Sequence, residues 1–262
     1  MVAAAMDRTF ISLLFVAGLF VGMVSLLELG RRLGQRRQGK DEEGARAGLG
    51  AVEGAVFALM GLIVAFTFSG AATRFDTRRQ LIVDEANAIG TAWLRLDLLP
   101  PAAQPELRGL FRRYLDTRLA VYQKLPDVNA ARAELARANA LQGEIWTRSV
   151  AASQTAATPM VAQVFPALNE MFDIATTRTM AAQIHPPEII FVMLGVLALV
   201  CSLLAGYAMA GGKSRSWIHV IAFALILAGT VYVILDLEFP RFGLIRIDAT
   251  DRVLIELRES MK

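Results

Sequence analysis

The sequence predicts an all-α membrane protein in which four transmembrane helices carry a helical soluble domain, inserted between the second and third spans. Of the 262 residues, 55% are hydrophobic and only 19% are charged, whereas a soluble domain is about 25% charged. Four stretches without charge are long enough for a helix to cross a bilayer. They cover residues 9–27, 54–73, 189–212 and 216–235. The region between the second and third stretches is instead rich in charge and has helical periodicity.

The first transmembrane helix is predicted over 9–29. Its apolar stretch is longer than the roughly 7–15 residues of a signal-peptide core, so we interpret it as a retained span. Gly18 and Gly22 have the spacing that lets another helix approach closely. Residues 30–50 follow as a polar linker, in which glycine and charge are too frequent for a packed core. We expect this linker to be a flexible or interfacial hairpin.

The second transmembrane helix, 51–73, has no proline between it and the region that follows. Because nothing in this stretch breaks a helix, we expect one helix to leave the membrane and enter the soluble domain. The apolar part gives way to Thr67 and Ser69, and then to the arginines Arg74, Arg78 and Arg79.

The soluble domain, 74–187, is predicted to be a helical bundle whose helices are separated by prolines. After the continuation of span two, helices are expected at about 103–124 and 128–154, and a fourth begins with Thr158 as its N-cap. Apolar side chains recur at intervals of three and four and are expected to point inward. They are Ile82, Ala86, Ile89, Trp93, Leu96, Leu107, Phe111, Tyr114, Val121, Leu125, Val128, Ala131, Leu135, Ile145, Val161, Val164, Leu168, Met171, Phe172 and Ala175.

The third and fourth transmembrane helices, 188–210 and 216–238, are joined by a short turn and should form an antiparallel hairpin. We expect Asp236 and Glu238, at the end of span four, to pair with Arg241 and Arg246 at the headgroup level. Residues 248–262 form an amphipathic helix, capped by Asp248 or Thr250, that docks on the soluble bundle or on the membrane interface.

The orientation in the membrane stays open. Four spans place both termini and the soluble domain on one face, and lysine and arginine flank the spans equally on the two faces. The strongly basic flank after span one favours an external domain, whereas the family resemblance given below favours a cytoplasmic one. We expect a multi-pass protein of the bacterial inner membrane in either case.

The composition also excludes several functional classes. One cysteine excludes a disulfide scaffold, and one cysteine with two histidines disfavours a zinc site. No acid/base or nucleophile cluster stands beside a span, so we expect neither an enzyme nor a cofactor. The basic residues lie mostly beside apolar spans, which gives no reason to expect a nucleic-acid partner.

The candidate functional residues lie on the second span. Ala58, Leu62 and Phe66 are spaced by four and project from one helix face. If several copies surround an axis, this face forms an apolar constriction that gates ions by excluding water. The alternative is that the same face packs against other spans. A ring of Glu53 would favour cations, and the arginines at the other end would favour anions.

The stretch FTFSGAATRFDTRRQL, residues 66–81, resembles the end of the second membrane helix in bestrophins, which are pentameric anion channels in animals and have bacterial relatives with a preference for cations. The matching residues are Phe66, Ala71, Arg74, Phe75, Arg79 and Leu81. Over nearly its full length the chain is similar to a bacterial membrane family described as bestrophin-like. The segments RFDTRRQLIVDEANAIGTAWLRLDLLP and YVILDLEFPRFGLIRID carry that second resemblance.

This resemblance implies a homopentamer that conducts ions along an axis lined by span two, with Ala58, Leu62 and Phe66 as the neck. Two residues depart from the bestrophin pattern, since Thr67 and Ser69 replace an arginine and an asparagine. The sequence has no clear counterpart of the acidic calcium clasp of the animal channels. The competing hypothesis is a non-conducting, membrane-anchored interaction or signalling protein, in which the spans only anchor and oligomerise.

Overall fold

The computed structural model describes residues 3–38, 46–211 and 216–262, with side chains described for 10–37, 50–211 and 216–262. The chain is all-α over these residues, which confirms the predicted fold class. Eight α-helices lie within the described part of the chain. They are α1 (Ala3–Gln38), α2 (Arg46–Arg95), α3 (Gln104–Gln123), α4 (Val128–Ser153), α5 (Thr158–Ala181), α6 (Glu188–Ala208), α7 (Trp217–Glu238) and α8 (Arg252–Ser260).

Four of these helices, α1, α2, α6 and α7, are long and apolar enough to cross a membrane. The helices divide between two compact units. We call the one that holds Asp7–Thr73 and His185–Phe239 the membrane unit, and the one that holds Arg74–Ile184 and Pro240–Lys262 the soluble unit. Helix α2 is continuous and contributes residues to both units.

The interpretation of 30–50 as a flexible linker is wrong at both of its ends. Helix α1 continues to Gln38 and α2 already begins at Arg46. Local ion pairs support the end of α1, where Glu28 accepts hydrogen bonds from Arg31 and Arg32. The middle of the predicted linker, 39–45, and most of the turn between spans three and four, 212–215, lie outside the described residues.

In the membrane unit, α1 and α6 approach each other at glycines. A Cβ atom on Gly30 would lie 2.0 Å from the carbonyl oxygen of Leu203, and one on Gly206 would lie 2.0 Å from that of Leu27. Of the two glycines predicted to allow close approach, Gly22 does so, since a Cβ there would lie 3.0 Å from Leu199 Cδ2 on α6, whereas a Cβ on Gly18 would have no neighbour within 4 Å. Only glycine lets the two backbones come this close, because any side chain would collide with main-chain atoms.

The soluble unit is built around a hydrophobic core drawn from α2, α3, α4, α5 and α8. Most of the inward-facing residues expected from the periodicity are buried. Leu125, Leu135, Val161 and Phe172 are only half-buried, and Val128 is exposed at the first position of α4. The core also includes Leu254 and Met261, so the C-terminal helix packs on the bundle. A polar pair lies within it, in which the amide of Gln142 donates to the buried Tyr114 hydroxyl at 3.1 Å.

Two predicted helix caps are wrong. Helix α5 begins at Thr158 itself, with Ala157 in the cap position and no side-chain cap. Helix α8 follows a 3₁₀ turn over Asp248–Asp251, and neither Asp248 nor Thr250 caps it. The carboxylate of Asp248 instead accepts hydrogen bonds from Arg241 and Arg246.

Candidate functional site

The face of α2 that carries the predicted neck is not covered by the rest of the chain. Between residues 50 and 73 of this helix, only Met60 and Ala71 are buried. Ala58 is exposed, and the side chains of Leu62 and Phe66 are 51% and 68% exposed. An apolar helix face left open within one chain must meet either lipid or another copy of the chain.

A different face of α2 packs inside the membrane unit. The ring of Phe57 contacts that of Phe223 on α7 edge to face, with the ring centroids 6.4 Å apart. Met60 is buried three residues later. These contacts separate the covered side of the helix from the side that carries Leu62 and Phe66.

The open face becomes polar toward the end of the span. Ser69 and Thr73 are exposed and lie one turn apart, and the Thr73 hydroxyl donates to the carbonyl of Ser69 at 2.8 Å. Thr67 is half-buried, and its hydroxyl donates to the carbonyls of Ile63 and Val64. Both threonine hydroxyls therefore serve the helix backbone as donors and still offer oxygen lone pairs outward.

The charged residues predicted for the two ends of the pore differ in exposure. Glu53, in the first turns of the span, is half-buried, as is Arg74. Arg79 is exposed, pairs with Asp76 at 3.4 Å, and lies over the ring of Phe75. Of the three arginines, Arg79 has the side chain most accessible to a mobile ion.

Arg78, the third of these arginines, is placed differently from Arg79. This arginine is buried in the soluble unit, where Nε donates to the carbonyl of Ala181 at 3.1 Å and Nη2 donates to that of Ile184 at 2.9 Å. These carbonyls belong to the end of α5 and the turn after it, where helix geometry leaves main-chain acceptors unsatisfied. These two hydrogen bonds tie the end of α5 to α2.

Sequence reasoning missed a buried ionic cluster farther along α2. Glu85 is fully buried and its carboxylate accepts hydrogen bonds from Arg118 on α3, at 2.5 Å, and from Arg178 on α5. Burial by itself raises the pKa of Glu85, but attraction to the two guanidinium groups outweighs it and holds the pKa below its ordinary value. A signal was present in the sequence, because Glu85 interrupts the apolar stripe between Ile82 and Ile89.

The same cluster holds the C-terminal segment. Asp251 accepts hydrogen bonds from Arg178 and Arg241, and the guanidinium of Arg178 stacks on the ring of Tyr122 at 3.9 Å. Arg241 lies over the same ring at 4.8 Å. The expected pairing of Arg241 and Arg246 with the acids of span four is wrong, because these arginines bind Asp248 and Asp251.

Within the described residues, no group of three or more histidine, cysteine, aspartate or glutamate side chains could hold a metal ion. His185 lies 3.6 Å from the carboxylate of Glu238, and its ring is stacked against that of Phe239. The other histidine, His219, contacts the hydroxyl of Ser216 at 2.6 Å. The two histidines therefore contact different residues and do not form a shared site.

Comparison with known proteins identifies the family. The model of the bestrophin-like domain matches residues 17–251, which is most of the chain. The chain belongs to the bestrophin-like family. No curated protein sequence matches it. The family assignment supports an ion-channel function in general terms, and the four apolar helices make this bestrophin-like chain a multi-pass membrane protein, in agreement with the expected inner-membrane location.

Solved structures support the same fold. The chain is similar to single-substitution variants of a bacterial bestrophin homologue from Klebsiella pneumoniae. One has a TM-score of 0.64 at 14% sequence identity, covering 92% of this chain and 98% of that chain. A second has a TM-score of 0.62 at 12% identity, covering 94% and 99%, respectively. A third has a TM-score of 0.59 at 12% identity, covering 94% and 98%.

Proposed function

We propose that this protein forms a homopentamer that conducts ions passively along its symmetry axis, with α2 lining the pore and chloride-like anions favoured over cations. Ala58, Leu62 and Phe66 form the neck. The conclusion depends chiefly on one observation, that these three residues lie on an apolar helix face that the chain itself leaves open. Four spans of one chain fill their own interior with side chains, so an axial pore requires several copies.

The chemistry of the open face suits a gate. A ring of leucine and phenylalanine side chains offers no hydrogen bond to water, so a narrow passage there excludes water and opposes ion entry. Ser69 and Thr73 follow on the same side of the helix and give a passing ion polar contacts once it has cleared the neck. This sequence of apolar and polar rings supports conduction controlled at Leu62 and Phe66.

The preference for anions comes from the charges beyond the neck. Exposed Arg79 and half-buried Arg74 contribute positive charge, whereas half-buried Glu53 contributes negative charge at the opposite end of the span. In a pentamer each becomes a ring of five charges, and the field of such a ring concentrates counter-ions. Two arginines outweigh one glutamate, which supports anions as the favoured ions.

The oligomeric state is the first test. The mass of the purified protein in detergent, measured by light scattering with the detergent contribution subtracted, should correspond to five chains. A monomer or dimer would contradict the axial pore and support the anchored interaction protein instead.

Conduction in planar bilayers tests the neck. Phe66→Ala should raise the single-channel conductance, because it removes the largest apolar side chain from the constriction. Phe68→Ala is the matched control, since this exposed phenylalanine lies two positions away and projects from another side of the same helix. Equal conductance of wild type and Phe66→Ala, with both proteins folded and pentameric, would remove the neck assignment.

Selectivity is measured separately, from the reversal potential in a potassium chloride gradient. Wild-type protein should reverse toward the chloride equilibrium potential. Arg79→Gln should shift the reversal toward the potassium potential, whereas Glu53→Gln should shift it the other way. A wild-type reversal at the potassium potential would contradict the anion preference and leave the pore assignment intact.

A further inference from the structure

We propose that the turn after span four, residues 241–246, inserts the side chain of Leu244 into the lipid interface, with Ile184 inserting beside span three. Among the large hydrophobic side chains of the described residues, Ile218 and Leu244 are the most exposed, at 81% and 80%. Ile218 lies in the first turn of α7, and Leu244 lies just beyond the end of that helix. The two most exposed apolar side chains therefore flank one transmembrane helix.

The turn is a closed structure with fixed ends. The amide of Ile247 donates to the carbonyl of Pro240 at 3.1 Å, and the side chain of Ile247 is buried in the core of the soluble unit. At the other end, Arg241 is held by Asp248 and Asp251. Because both ends are fixed, the exposure of Leu244 is a property of the folded turn and not of an unravelled chain.

Chain connectivity keeps this turn close to the bilayer. Helix α7 ends at Glu238, and the turn begins three residues later, at Arg241. Leu244 is four positions beyond Pro240, which gives a reach of at most about 14 Å. The headgroup layer is about 5–8 Å thick on each side of the hydrocarbon core. Leu244 therefore lies within reach of the region between headgroups and acyl chains.

The residues around the tip suit a lipid partner. Residues 242–245 are Phe-Gly-Leu-Ile, which carry no charge, and exposed Arg246 follows them. Arg241 and Arg246 share the carboxylate of Asp248. An apolar tip with a guanidinium group beside it matches the acyl boundary and the phosphate level of an anionic bilayer.

Ile184 forms a second apolar tip where the chain approaches span three. Its side chain is 59% exposed, and its carbonyl accepts a hydrogen bond from Arg78, which fixes the turn. The start of the third span and the end of the fourth lie on the same membrane face, because the two spans are consecutive. Leu244 and Ile184 would therefore enter the same leaflet, and both side chains would contact its lipids.

The test uses the full-length protein in vesicles and does not depend on conduction. Leu244→Cys, in a Cys201→Ala background, is labelled with an environment-sensitive fluorophore and reconstituted in phosphatidylcholine and phosphatidylglycerol. The emission should shift to shorter wavelength and be lost when lipids with nitroxide-labelled acyl chains are included. Ile184→Cys should behave in the same way. Leu94→Cys is the matched control, because it places the label at a 67% exposed leucine near the end of α2.

Emission from position 244 that matches position 94 and is insensitive to the nitroxide lipids would overturn the proposal. A second outcome would also overturn it, namely blue-shifted emission that the nitroxide lipids do not quench, together with quenching between labels on neighbouring copies. That result would show that a second copy of the chain covers Leu244. Monodisperse elution of each labelled protein establishes that it is folded. If Leu244→Cys does not elute as a single species, the label at Ile184→Cys tests insertion into the same leaflet, with the same emission and quenching measurements.

Discussion

Each of the two units of this bestrophin-like chain is stabilised internally by a different kind of contact. In the membrane unit, α1 and α6 meet through backbone contact at Gly30 and Gly206, where side chains are absent. In the soluble unit, large side chains such as Phe111 and Leu168 fill a core that surrounds the ionised Glu85. Lipid tails are as apolar as the helices, so association in the bilayer relies on close van der Waals contact. In water, burial of apolar surface supplies the driving force.

The comparison also shows where each unit tolerates charge. In the membrane unit, Glu28 pairs with Arg31 and Arg32 near the end of α1, within reach of the headgroups. In the soluble unit, Glu85, Arg118 and Arg178 are buried together at the centre of the bundle. A buried charge is acceptable only with its partners in place, so this cluster specifies which helices meet and in which register.

The largest effect is expected when the buried carboxylate is removed. Glu85→Gln leaves Arg118 and Arg178 buried with their main partner neutralised, and should lower the free energy of unfolding by about 3–5 kcal/mol. Glu106→Gln is the control, since Glu106 pairs with Arg148 at the surface. Denaturant unfolding of the purified protein, followed by far-ultraviolet circular dichroism, measures both. Equal losses in the two variants would mean that burial of Glu85 adds nothing to the strength of its contacts.

Acid should weaken the same cluster without any substitution. The pKa of Glu85 in the folded protein lies below its ordinary value of 4.5, so the unfolded chain takes up the proton more readily. The contribution of Glu85 to stability is therefore complete above about pH 4.5 and falls as the pH drops through the lower, folded-state pKa. Thermal unfolding between pH 7 and pH 3 should show this loss, and Glu85→Gln should show less of it. Parallel profiles would contradict the assignment.

The glycine contact in the membrane unit is expected to be less costly to disturb. Gly206→Ala places a methyl group against the main chain of Leu27, so α1 and α6 must separate, at a cost of about 1–3 kcal/mol. Gly229→Ala, on α7, meets nothing within 4 Å and should be neutral or stabilising by up to about 1 kcal/mol. The melting temperatures of the two variants in detergent, compared with wild type, decide between them. If both melt alike, the close approach does not support the fold.

The smallest effect is expected at a surface pair. Asp116 accepts hydrogen bonds from Arg258 on α8 at 2.6 and 3.1 Å, and both side chains are partly exposed. Asp116→Asn should cost no more than about 1 kcal/mol, because water and salt screen the pair. High salt should reduce even that difference. A loss as large as that of Glu85→Gln would show that the C-terminal helix depends on its surface charge and not on buried Leu254.

Much of the fold could be predicted from the sequence. Periodicity identified the buried stripe that contains Ile82 and Ile89, and prolines identified the breaks between the soluble helices, since both signals are local. The helical ends of the supposed linker were missed, because arginine-rich segments are good helix formers despite their polarity. The cap predicted at Asp248 is wrong, because its carboxylate accepts hydrogen bonds from Arg241 and Arg246 and a 3₁₀ turn separates it from the start of α8.

The candidate site also has features that the sequence predicts and features that only the structure shows. That Ala58, Leu62 and Phe66 share a face follows from four-residue spacing alone. Whether that face is covered depends on where the other spans lie, and the structure leaves it open. The role of Arg78 could not be read from its position beside Arg79, because its partners are main-chain carbonyls about a hundred residues away in the chain.

The sequence by itself determined the number of spans, the helical class and the continuity of α2, because each follows from hydropathy, period or the absence of proline within a short window. The tertiary structure alone decided that Gly206, and not Gly18, allows close helix contact, and that Glu85 is paired while buried. Both results require parts of the chain that are distant in sequence to meet. A burial pattern predicts that a face will be covered, and only the packed chain determines what covers it.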